Sequence, residues 1–190
     1  MISDTEIIEG TKRIIRDLTI AIVDNGGIFT FDPITNKEYR RWKSGFNKRK
    51  DIANTINIHG GVLTGSKVLS KSFINGRRIL ESRKTLSSDW DFLVDKNEVF
   101  NITRYINFKQ DDDKLTYRVI QGTYDSQSQD FDLIIKDDLP LSYKVGNFRY
   151  MCPLSIIQSK IDLVNSNKNG MDKHLVDIRE FYWKFSYLVE

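Results

Sequence analysis

The 190-residue chain has little of what staples or clips a small fold: one cysteine, Cys152, two histidines, His59 and His174, and three prolines. A single thiol forms no intrachain disulfide, so a disulfide-stapled secreted scaffold is excluded. One Cys and two His also fall short of an ordinary structural zinc set. Long apolar runs are missing too. The N-terminus, MISDTEIIEGTKR, is acidic early and lacks an apolar h-region. The nearest run, Leu18 to Val23, is far shorter than the roughly 20 residues that span a bilayer. A cytoplasmic chain with no membrane partner is the expectation. Nor does one sign of charge dominate: 29 basic against 26 acidic residues leave +3, which by itself implies no polyanionic partner. What the chain does have is 39% hydrophobic and 12% aromatic residues, enough for a real core at this length and too many for a disordered polymer.

The apolar pattern predicts helices at both ends and strands between them. Ser3 followed by Glu6 resembles a capping box, and Ile7, Ile8, Ile14, Ile15, Leu18 and Ile22 keep helical spacing up to Asp24–Gly27. Ile28 to Tyr39 reads as a short extended piece broken at Pro33, and DIANTINIHGG as a further helix or loop. Val62 to Ser66 is a short apolar run, and KVLSKSF after it reads as a helix stopping at Asn75-Gly76. WDFLVD (Trp90 to Asp95), LTYRVIQGTYD (Leu115 to Asp125) and FDLIIKD (Phe131 to Asp137) are rich in β-branched and aromatic residues and read as strands. After Pro140 the helical period returns. Pro153 opens one helix, and a second from about Asp172 carries Leu175, Ile178, Tyr182, Phe185 and Leu188 as a stripe. The fold expected is α+β: a small mixed sheet flanked by N-terminal and C-terminal helices. Its parts are an N-terminal helical and basic segment over 1–61, a core over 62–140 and a helical part over 141–190.

Within the strand SSDWDFLVD, alternation turns Asp89 and Asp91 one way and Trp90 and Phe92 toward the core. Two carboxylates on one face repel, and desolvating them is costly unless a cation lies between them. Mg²⁺ takes hard oxygen ligands, one or two of them carboxylates, and leaves the rest to water and phosphates; Mn²⁺ suits the same oxygens. LTGSKVLS reads as strand, tight Gly65-Ser66 turn and helix, a form in which free N–H groups meet an anion and Gly permits close approach. QDFDLIIKD brings a third acidic position, Asp130 or the better placed Asp132, ahead of another strand. Each piece also has a plain structural reading: a strand-entry cap, an ordinary strand-to-helix turn, a solvated strand end.

Together, in the order LTGS, SSDWDFLVD and FDLII, these pieces resemble the nucleotidyltransferase-fold superfamily, similar in its catalytic core to DNA polymerase beta. The resemblance implies that Gly65 and Ser66 bind nucleotide phosphates and that Asp89, Asp91 and Asp132 form the metal-binding, catalytic trio. The C-terminal PLSIIQSKIDLVNSNKNGMDKHLVDIREF resembles the helical segment of minimal nucleotidyltransferases and abortive-infection toxins. Lys160 and Lys173 then match nucleotide-binding positions, with His174 standing where that pattern has Asp. By spacing alone, Lys173 and Asp177 read as an i,i+4 surface pair. The stretch from Ser66 to Asp89 is longer than the usual spacing, and a rival register uses Gly60-Gly61 as the turn.

Lys37 to Lys50 sets Lys37, Arg40, Arg41, Lys43, Lys48, Arg49 and Lys50 around Tyr39, Trp42 and Phe46, a composition suited to single strands or a tRNA end. It also suits a solvated helix face with its aromatics in the core. Arg77, Arg78, Arg83 and Lys84 are further candidates for a triphosphate, and Asp111 to Lys114 reads as a hairpin turn. The function expected is Mg²⁺- or Mn²⁺-dependent transfer of a nucleoside monophosphate from an NTP to an acceptor, releasing pyrophosphate. RNA or tRNA stands ahead of a protein or small-molecule acceptor. The alternative is a catalytically inactive nucleic-acid-binding module on the same fold.

Overall fold

The computed structural model describes residues 1–25, 27–39, 46–82, 89–106, 108–110, 116–119, 131–166 and 172–189. The chain is mixed α+β and divides into two compact units that interleave along the sequence. One comprises Met1–Phe31, Leu69–Ser82 and Pro153–Glu190; the other comprises Asp32–Val68 and Arg83–Cys152.

The first unit is built on three helices. α1 (Asp4–Asn25) starts at the expected capping box: Ser3 N donates to Glu6 Oε2 at 2.7 Å and Glu6 N to Ser3 Oγ at 3.2 Å. Ile7, Ile14 and Leu18 are its buried stripe. α6 (Pro153–Asn165) opens on proline at a position where the missing N–H has no helical partner to lose. α7 (Asp172–Phe185) buries Ile178, Phe181 and Phe185, a stripe offset from the one expected, with Tyr182 only half-buried. A three-stranded antiparallel sheet, β1 (Phe29–Phe31), β3 (Ser72–Ile74) and β4 (Arg77–Arg78), completes the unit.

The helix expected over KVLSKSF forms only at its start, in α4 (Gly65–Leu69), and Ser72–Ile74 is strand β3. The chain instead turns back as a hairpin at Asn75-Gly76, both with positive φ (50° and 77°), the signature of a two-residue β-turn rather than of a helix end. Glu180 of α7 ties down the segment after β4, accepting from Glu81 N at 2.7 Å, from the Ser82 hydroxyl and from Lys184 Nζ at 2.9 Å. Burial works to raise its pKa, but these donors outweigh it and hold the carboxyl below its ordinary range.

The second unit carries a mixed seven-stranded sheet in the order β6-β7-β8-β5-β2-β10-β9. Its strands are β2 (Val62–Thr64), β5 (Trp90–Asp95), β6 (Phe108–Gln110), β7 (Thr116–Val119), β8 (Phe131–Lys136), β9 (Ser142–Val145) and β10 (Phe148–Met151). β5 and β8 run parallel, as do β2 and β10; the other neighbours are antiparallel. β9 and β10 replace the helical period expected after Pro140. Gly146 at φ 60° closes them into a hairpin, and SYKV and FRYM supply β-branched and aromatic residues. The helices α2 (Asn36–Tyr39), α3 (Phe46–Ile58) and α5 (Val99–Thr103) also belong to this unit. Its core is aromatic. Trp90 stacks on Tyr39 and Phe131 with centroids 5.5 and 5.4 Å apart, and Phe92 and Phe148 close the cluster. No helix among the described residues is long and apolar enough to cross a membrane.

A candidate metal and nucleotide site at paired carboxylates

β5 has the two-sided character that its sequence predicts. Trp90, Phe92 and Val94 are fully buried, while Asp91 is half-buried. β8 repeats the pattern, with Phe131 and Leu133 buried and Asp132 half-buried between them. Because the strands are parallel and pair Trp90 with Phe131, Asp91 falls in register with Asp132. Neighbouring strands lie about 4.8 Å apart and paired residues share a face, so the two carboxylates stand side by side. On the other flank of β5, Thr64 pairs with Asp91.

Thr64 ends β2, and the next residue brings the turn onto the pair. Gly65 has φ +78°, and a Cβ built on it would lie 2.6 Å from Asp91 Oδ2. Only glycine fits both the backbone conformation and the close approach of the carboxylate. Ser66 is half-buried and follows in α4 (Gly65–Leu69). This helix spans little more than one turn, so its dipole is small, and what the turn offers an anion is access to backbone rather than a long helix end.

The rival glycines have another task. Gly61 N donates to Ile56 O and Gly60 N to Asn57 O, both at 3.0 Å, with Gly60 at φ +77°. That is the bonding of a Schellman cap, and it ends α3.

Asp89 precedes β5 by one residue and is exposed. Among the described residues, no group of three or more Asp, Glu, His or Cys side chains is gathered at metal-ligand spacing. The structure thus brings Asp91 and Asp132 together with Gly65 but does not close Asp89 into a preformed trio. Three clustered carboxylates repel one another when no cation is between them. The donor set still fits a hard divalent ion: two adjacent carboxylates are the share of ligands that Mg²⁺ ordinarily takes from protein.

The C-terminal candidates lie in the first unit. Lys160 is buried and pairs with Asp177 at 2.9 Å, and its Nζ lies 3.4 Å from His174 Nδ1. Asp177 is completely buried, which corrects its reading as half of a surface pair with Lys173; Lys173 is exposed. In the same unit Arg77 donates to Lys184 O at 3.0 Å, and Arg78 donates to Ser70 O and packs 4.6 Å over the Phe73 ring. Arg83, Lys84 and Asp111 to Lys114 lie outside the described residues, as do the side chains from Arg40 to Lys48. Of the basic stretch, Lys37 and Lys50 are exposed, whereas Arg49 is buried and donates to Glu38 O at 2.8 Å. Burial, with the Glu38 carboxylate beside it, pushes the Tyr39 phenol up to about 12, so the ring stacked on Trp90 stays neutral.

Two features escaped sequence reasoning. Lys67 is buried against the Trp90 ring, and Asp177 is buried on a helix whose polar residues read as surface. Neither has a local signal, since each is matched by a residue far away in the chain.

Gly65→Ala is the sharpest test of the turn. The added methyl meets the Asp91 carboxylate and the backbone is strained, so a stability loss of about 1–3 kcal/mol is expected in denaturant titrations. Gly60→Ala, which lies away from the carboxylates, serves as the positive-φ control and leaves the site's chemistry intact. Searches with the sequence against protein-family models and against curated proteins find no match.

Proposed function

We propose that the chain is a divalent-metal-dependent nucleotidyltransferase, moving a nucleoside monophosphate from an NTP to an acceptor and releasing pyrophosphate. The observation that supports this best is the register of Asp91 with Asp132, with Gly65 against the Asp91 carboxylate. Asp91 and Asp132 would hold Mg²⁺ or Mn²⁺, with exposed Asp89 adding a ligand, and the ion would supply positive charge against that building up on the phosphates. Asp132 takes the proton of the acceptor hydroxyl, or orients that hydroxyl, as its oxygen bonds to the α-phosphorus. The bond from the α-phosphorus to the bridging oxygen breaks, and pyrophosphate leaves with the electron pair. Gly65 and Ser66 let the phosphates approach main-chain N–H groups. RNA or tRNA leads among acceptors on the composition of Lys37 to Lys50.

The test incubates the chain with each α-labelled NTP, Mg²⁺ or Mn²⁺, and separate pools of RNA, protein and small molecules, beside an Asp91→Asn, Asp132→Asn control. Label entering one pool above that control is the result expected. No uptake in any pool with any of the four nucleotides overturns the proposal. Release of free nucleotide without labelling would point to a phosphohydrolase instead. RNA binding that persists in the control, with no turnover by the parent, would point to the inactive binding module.

A further inference from the structure

A buried lysine lies beside the start of β5. Lys67 is 1% exposed, and its ammonium is 4.8 Å from the centroid of the Trp90 ring. Trp90 stands between Asp89 and Asp91 in the chain. Burying an ammonium carries a large desolvation penalty, and an apolar side chain of similar length would fill this space without it. The Trp90 indole N–H is buried and meets no acceptor among the described residues, so hydrogen bonding does not orient the ring. Its orientation comes from stacking on Tyr39 and Phe131 and from the cation against it.

The turn therefore holds the strand from both sides. Trp90 and Asp91, adjacent in β5, project to opposite faces. Gly65 closes on the Asp91 carboxylate, while Lys67, two residues later, lies over Trp90. We propose that Lys67 is a positioning residue: it fixes Trp90 and, through Trp90, the backbone that keeps the Asp91 carboxylate beside Asp132. The inference rests on the metal-dependent reading of that carboxylate pair. The contact that assigns this role is the one Lys67 makes with the indole.

The test is Mn²⁺ binding to the full chain without nucleotide, followed by electron paramagnetic resonance. The proteins compared are the parent, Lys67→Met, Lys67→Arg, Trp90→Phe and Asp91→Asn, each checked for folding by circular dichroism. Asp91→Asn is expected to lose the tightest site. Lys67→Met should weaken it by about tenfold, the scale on which residues behind the ligands set metal affinity. Lys67→Arg, which keeps a cation over the ring, should recover most of that loss. The direction discriminates. Removing a nearby positive charge without disturbing geometry would tighten Mn²⁺ binding, whereas releasing a positioned carboxylate weakens it.

Parent-like or tighter binding by Lys67→Met, with Asp91→Asn defective, overturns the role of Lys67 and leaves the metal site standing. Parent-like binding by Asp91→Asn overturns the metal reading itself. If Lys67→Met does not fold, Trp90→Phe carries the test, because it keeps a buried ring but weakens the attraction for the cation. Weakened binding then supports the inference, and unchanged binding overturns it.

Discussion

Asp132→Asn is expected to lower nucleotidyl transfer by about a hundredfold or more and to abolish the stabilisation of the chain by divalent metal. The two halves of this result have one cause. Asp91 and Asp132 are register partners on parallel strands, so two negative charges share one patch of sheet face about 5 Å apart. Two carboxylates so placed repel, and a divalent cation between them offsets that repulsion. With a cation, the same proximity becomes binding. Mg²⁺ or Mn²⁺ should therefore raise the melting temperature of the parent in proportion to site occupancy and leave that of Asp132→Asn unchanged. A purely structural carboxylate would show no metal dependence of the melting temperature in either protein. Thermal melts of the two proteins with and without metal, alongside the labelling assay, separate these outcomes.

Asp177→Ala is expected to cost about 3–5 kcal/mol, the largest stability effect of any substitution considered. Asp177 is completely buried in α7 and pairs at 2.9 Å with Lys160 of α6, itself buried. Removing the acid leaves an ammonium in the helix interface with its main counter-charge gone. The double replacement Lys160→Met, Asp177→Leu should recover most of the loss, because it takes away both charges and the desolvation penalty with them. Urea denaturation of the parent, both single variants and the double variant measures the coupling. A loss under about 1 kcal/mol for Asp177→Ala would place the pair among weak surface bridges. His174, 3.4 Å from the ammonium, belongs to the same cluster.

The sequence was most informative where local rules and tertiary packing agree. Ser3 and Glu6 cap α1 as their spacing demands, and WDFLVD and FDLII are strands whose alternation puts Trp90, Phe92, Phe131 and Leu133 in the core. Parity alone placed Asp89 and Asp91 on one side. It did not reveal that β5 and β8 are adjacent and in register, which depends on pairing across dozens of residues. Both hairpins missed by periodicity turn on glycine-containing pairs, Asn75-Gly76 and Gly146-Asn147. There a two-residue turn outweighed the weak helical pattern around it. Charged residues gave no warning of their burial. Arg49 of the basic stretch, Lys67, the nucleotide-binding candidate Lys160 and Asp177 are all buried, because a lone charge in a sequence does not announce the distant group that allows its burial.

The central claim is that the Asp91 and Asp132 carboxylates form one cation site beside Gly65. Crystals grown or soaked with Mn²⁺ and a non-hydrolysable NTP analogue test it through the anomalous signal of the metal. The account predicts a peak within about 2.0–2.6 Å of oxygens from both aspartates, with analogue phosphate oxygens on the same ion. Well-ordered density for both side chains with no peak between them, or metal bound elsewhere on the chain, would contradict it.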